Sequence, residues 1–138
     1  RNQIMAIKEE NMSENASYMA ECLNTILNHR SISRNTEYML NRGDTPMDIL
    51  QNNLKDVQVL NLTGCDENAV FYYLNRDIPV LAITDEGNPV LLIGYNELNL
   101  VWYDPSTRSI YKKGIKDSAQ IFEDAGNRFM TYSINTVN

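Results

Sequence analysis

The stretch that most restricts the fold of this chain runs from Pro79 to Pro105, PVLAITDEGNPVLLIGYNELNLVWYDP. It holds the densest apolar text in the sequence, in runs too short for helices and bounded by turn residues. Asp85-Glu86-Gly87-Asn88 separates the first two runs and suits a hairpin turn. The third run stops at Asp104-Pro105, where proline removes a backbone donor. Three antiparallel strands are therefore expected at about 79–84, 89–95 and 99–104, and the rest of the chain has to pack on them.

Helical periodicity precedes this block. After Ser13-Glu14, apolar residues fall at Ala16, Met19, Ala20, Leu23, Ile26 and Leu27, a 3.6-residue stripe that predicts a helix over about 14–29. A short second helix is expected from Asn35-Thr36-Glu37 to Gly43 at the C′ position. Thr45 as N-cap and Pro46 at N1 open a third, ending near Leu54. Val57 and Val59 alternate with Gln58 and Leu60 in a strand that ends by Gly64, and Cys65-Asp66-Glu67-Asn68 starts a fourth helix. Further strands are expected at about 109–113 and 128–134. Between them lies a helix from a capping box at Asp117 and Gln120 to Gly126. Helices first and an antiparallel meander second define an α+β chain. Residues 1–13 carry little pattern and read as a tail or linker, leaving 14–138 as one domain, a normal size for a single core. The start at Arg1, without methionine, suggests a piece of a longer protein.

Charge narrows the function. Lysine and arginine number 12 against 18 acids, giving −6, which argues against a nucleic-acid backbone as partner. No apolar run reaches the ~20 residues of a membrane span. With one histidine, His29, and no Cys-x-x-Cys or His-x-x-x-His spacing, no metal is expected, and no phosphate loop or other cofactor signature is present. Asn15-Ala16-Ser17 and Asn61-Leu62-Thr63 match a glycosylation pattern short enough to arise by chance.

Nucleophilic catalysis needs a thiol or hydroxyl, a base and a group that orients the base. Cys22 and His29 share a helix but are two turns apart, about 10.5 Å along its axis, too far for a hydrogen bond. Cys65 lies at a helix start, which favours a thiolate, but Asp66 and Glu67 beside it oppose that charge. Both cysteines also suit the role of small buried hydrophobes, and His29 suits a partner for a helix C-terminus. Two cysteines make no disulfide framework; whether they pair with each other is open.

Several segments resemble the papain-like cysteine peptidases of the C39-like, double-glycine leader-processing type. The segments are YMAECLNTIL at 18–27, IPVLAITDEGNPVLLIGYN at 78–96, LVWYDP at 100–105 and FEDAGNRFMTYS at 122–133. The resemblance implies a papain-like fold with N-terminal helices packed on a C-terminal antiparallel sheet. It places Tyr18 where the nucleophilic cysteine belongs, Asn88 after the turn glycine where the histidine belongs, and Asp104 at the orienting acid. Met12 falls where the oxyanion glutamine is expected. Tyrosine is no thiol and an amide takes no proton at neutral pH, so only the acid is kept.

The reading that follows is a catalytically degenerate peptidase-like module of a larger bacterial, envelope-associated protein, binding a peptide or protein segment. Tyr18, Asn88, Tyr95, Trp102 and Asp104 are the candidate binding residues, with Tyr103 as a further aromatic. Each has a plainer role available. Asp104 before proline is a common turn former, Asn88 suits the hairpin turn, and the aromatics suit a core. The alternative is an active cysteine hydrolase using Cys22 or Cys65 with an unconventional base.

Overall fold

The computed structural model describes the backbone of residues 2–134 and the side chains of residues 16–134. Five helices and six strands follow one another along the described residues: α1 (Asn2–His29), α2 (Thr36–Asn41), α3 (Pro46–Asn53), β1 (Val57–Asn61), α4 (Glu67–Leu74), β2 (Val80–Ile83), β3 (Pro89–Tyr95), β4 (Asn99–Asp104), β5 (Ser109–Gly114), α5 (Ile115–Asp124) and β6 (Phe129–Ile134). One antiparallel sheet collects all six strands in the order β1-β6-β2-β3-β4-β5.

Local chemistry explains the helix ends. Thr45 accepts from the Asp48 backbone N–H, the Asp48 carboxylate accepts from that of Thr45, and Pro46 opens the first turn of α3. Gly43, at φ +105°, terminates α2. Its N–H donates to the Leu40 carbonyl and that of Asp44 to the Met39 carbonyl, so two orphaned acceptors are satisfied. The Asp66 side chain caps α4 by accepting from Asn68 N–H at 3.0 Å. Helix α1 begins well before the expected start at Ser13-Glu14. Helix α5 is also a correction. It starts at Ile115 behind Gly114, with no side-chain cap, and Gln120 donates to Asp124 at 2.7 Å instead of closing a box with Asp117. A donor four residues before its acceptor is a neighbour on the helix surface, and at the helix start the Ile115 N–H donates to the Leu98 carbonyl.

The sheet is not a simple meander. Strands β2 to β5 follow one another, but β6 inserts between β1 and β2, pairing Tyr132 with Val59 and Phe129 with Ala82. The physical reason is that β6 is apolar on both faces: Phe129 packs on one side of the sheet, and Met130 and Tyr132 on the other. A strand with two faces to bury is more stable in a central position than at an edge.

Two cores lie on the two faces. On one face, Cys22, Leu23, Ile26 and Leu27 of α1 meet Ile49 and Leu50 of α3, Leu81, Leu91 and Tyr132. On the other, Val70 and Leu74 of α4 and Phe122 of α5 meet Val80, Val90, Leu92, Trp102 and Phe129. Successive strand residues alternate between these cores, so even-numbered residues of β2 and β4 face α4 and α5. A bulge between Leu92 and Gly94 breaks that alternation on β3 and turns Ile93 outward. Thr36, fully buried, stitches α2 to α1 by donating to the Ala20 carbonyl and Asn24 Oδ1.

Candidate functional site

The β2–β3 hairpin turn carries Asn88. Gly87 adopts φ +82°, a left-handed conformation that other residues enter with strain, and its N–H donates to the Thr84 carbonyl at 2.8 Å. Asn88 closes the turn through its backbone, accepting from Thr84 N–H at 2.9 Å and donating to Thr84 Oγ1 at 3.3 Å. Among the described residues its side-chain amide enters no hydrogen bond, and it lines a recess of about 200 Å³. Asp104, Ser106, Tyr111 and Lys113 line the same recess, with Trp102 in its wall.

The Asp104 carboxylate is already engaged. Oδ1 accepts from the Ser106 N–H at 2.9 Å and from its hydroxyl at 2.7 Å, an Asx turn that carries the chain past Pro105. The sequence signal for this partner is the serine two residues after the aspartate, and Ser106 was not among the candidates named above. Trp102 is 3% exposed, edge-on to Phe122 with ring centroids 5.3 Å apart and 6.0 Å from Tyr111, so most of its surface belongs to the core.

Tyr18 lies elsewhere. It is half-buried and lines a separate recess of about 310 Å³ with Glu21, Asn24, Arg34, Arg108 and Pro105. Asp104 and Pro105 thus form the wall between two recesses, one holding Asn88 and the other Tyr18. Tyr103, between them on β4, turns to the α1 face, where its hydroxyl sits 3.4 Å from both Glu21 carboxylate oxygens. Tyr95 is remote from both recesses. It is 39% exposed and stacks on Phe71 at 4.6 Å. The side chain of Met12 falls outside the described residues.

Neither cysteine meets the histidine. Cys22 is 1% exposed in the α1 core, where burial, reinforced by the charges of Glu21 and Asp104, pushes its thiol up to about 12. A thiol held in that state is protonated at neutral pH and is a poor nucleophile. His29 Nε2 donates to the Asp77 carbonyl at 2.8 Å, beside Pro79 at the start of β2. Cys65 follows Gly64, whose N–H donates to Asn127, and the neighbouring Arg128 carbonyl accepts from Ile83 at the far end of β2. At the usual strand rise these ends are about 10 Å apart. Both thiols are free, so the pairing left open by the sequence does not form.

No group of metal-ligating side chains occurs among the described residues, and no helix there is long and apolar enough to cross a membrane.

Helices on both faces of an antiparallel sheet define a mixed α and β architecture shared with a peptidase-like structure. The chain superposes on the crystal structure of a "putative C39-like peptidase" from Bacillus anthracis with a TM-score of 0.73, covering 87% of this chain and 90% of that one. Identity is 15%, so the likeness is one of fold. No family model and no curated protein matches the sequence.

Proposed function

We propose that this chain is a catalytically inactive, papain-like peptidase domain that binds a peptide or protein segment as a module of a larger bacterial protein. One observation carries the reading. At the position the resemblance assigns to the general base, Asn88 presents an unpartnered amide to a recess it shares with Asp104. An amide there offers a donor and an acceptor to a peptide backbone but accepts no proton. The Asx turn supports the same reading, because Ser106 already holds one of the two Asp104 carboxylate oxygens in a turn-forming role. Tyr18 in its separate recess and Cys22 sealed in the core supply no competing nucleophile.

Two measurements test it. A chloroacetamide probe at pH 7 is expected to modify Cys65 at the rate of a simple thiol and to leave Cys22 untouched until the protein unfolds. Rapid stoichiometric labelling of either cysteine that disappears in His29→Ala would overturn the inactive reading. Titration with an extended Gly-Gly-containing peptide is expected to shift the Asn88 side-chain NH2 resonances in NMR spectra. Saturable binding with those signals unmoved counts against the recess.

A further inference from the structure

Strand β5 is an edge of the sheet, and among the described residues it pairs only with β4. Antiparallel pairing uses the backbone groups of alternate residues, so the others on Ser109–Gly114 turn N–H and C=O outward. Ile110 on this strand is 66% exposed. From Arg108 to Lys116 the sequence RSIYKKGIK holds four cations, Arg108, Lys112, Lys113 and Lys116, and no carboxylate, within a chain of net charge −6. The one salt bridge among the described residues is Arg42–Asp44, far from this strip in sequence, so the four charges are not ion-paired there.

Lysines often guard an edge strand against self-pairing. That role accounts for Lys112 and Lys113. It does not account for an exposed isoleucine on the same strand, or for Arg108 and Lys116, which extend the positive charge beyond it. We propose that the β5 edge docks an extended acidic segment of a partner protein as an added antiparallel strand. Backbone hydrogen bonds would supply the pairing, Lys112 and Lys116 the choice of an acidic sequence, and Ile110 one apolar contact; Lys113 faces the recess of Asp85, Glu86 and Asp104, and Arg108 that of Glu21 and Glu37. A second copy of this chain is a poor occupant, because two-fold pairing of β5 with itself brings two copies of the same positive strip together. The site is independent of the Asn88 recess. Lys113 and Tyr111 border that recess, but a strand added along the edge makes its backbone contacts on the outer side of β5.

The test is fluorescence anisotropy with a labelled, end-blocked peptide of alternating glutamate and valine. Saturable binding is expected, weakening with added salt and falling roughly tenfold or more when Lys112→Glu and Lys116→Glu are combined, since both charge contacts turn repulsive. On the unmutated protein, the same peptide N-methylated at alternate residues is expected to lose binding, which separates strand addition from charge attraction without any variant having to fold. Asn88→Ala is expected to leave binding unchanged; a loss there would assign the peptide to the recess and overturn the edge proposal. Three other results overturn it as well: no saturable binding, equal binding of the N-methylated peptide, or equally tight binding of a single-stranded oligonucleotide. If Lys112→Thr with Lys113→Thr causes self-association while peptide binding is absent, the lysines are guards and the proposal fails.

Discussion

The two faces of the sheet treat their potentially reactive groups in opposite ways. On the α1 face, the thiol of Cys22 is enclosed by Leu23, Ile26 and Leu91, in a core that leaves it almost no solvent contact. On the α4/α5 face, an aromatic cluster of Trp102, Phe122 and Phe129 stops short of the hairpin, leaving Asn88 and Asp104 around an open recess. Strand alternation produces the split. Val90 and Trp102 share the α4/α5 face, with Asn88 two residues before the first and Asp104 two residues after the second. The helix-borne thiol is sealed in the opposite core, where it feels the charge of Asp104 but does not open onto the recess that holds the amide. The likeness is one of fold, and on this chain Tyr18 and the Asn88–Asp104 pair line two different recesses.

The largest expected effect tests whether Trp102 belongs to the core or to a groove. Trp102→Ala is expected to destabilise the protein by about 3–5 kcal/mol in urea unfolding, as loss of a buried aromatic does. Tyr95→Ala, removing a half-exposed ring stacked on Phe71, is expected to lose about 1 kcal/mol. Comparable losses at the two positions would remove the distinction between them.

The next effect sharpens the contrast in the thiol. The Cys22 pKa is raised in the folded state from 9.0 to about 12, so the native protein keeps a proton that the unfolded chain releases. Its contribution to stability is thus full below pH 9 and is lost as pH rises through the window between those values. The slope approaches about 1.4 kcal/mol per pH unit. Cys22→Ala should lower stability at neutral pH, where the buried sulfur is lost, and flatten this alkaline decline. Burial also raises the Tyr132 phenol, which adds a decline common to both proteins. Parallel curves for the two proteins between pH 9 and 11 would show that Cys22 ionises freely and is not enclosed.

Much of this architecture was legible in the chain. The α1 stripe, the Gly43 stop, the Thr45-Pro46 start and the three strands between Pro79 and Pro105 are local signals, and the structure forms each of them. The position of β6 was not legible, because Phe129-Met130-Thr131-Tyr132 is buried on both faces and shows no alternation from which a neighbour could be inferred. The α5 start was misjudged because a capping box is only a spacing of residue types. Here Ile115 N–H finds the Leu98 carbonyl, a partner from another hairpin that no local pattern reveals. At the site, the identities of Asn88 and Asp104 were visible, as was the option that Asp104 serves as a turn former. Their separation from Tyr18 depends on which side of Asp104-Pro105 each recess opens, a property of the packed sheet.

The smallest effect examines the recess directly. Asn88→His would place an imidazole in the recess that holds Asp104, also lined by Asp85 and Glu86, with Lys113 as the opposing charge. Half-burial alone would lower the imidazole pKa, whereas three carboxylates against one ammonium raise it. The charges are expected to win because the recess is open to solvent and desolvation is incomplete. The new histidine should titrate above the usual 6.5, read by NMR. Adding Asp104→Asn should bring it back toward 6.5. An imidazole at or below that value in the single variant would mean that Asp104 does not face position 88 closely enough to act on it. Should the shift appear without thiol reactivity at Cys22 or Cys65, an imidazole paired with an acid on the α4/α5 face does not by itself activate either thiol.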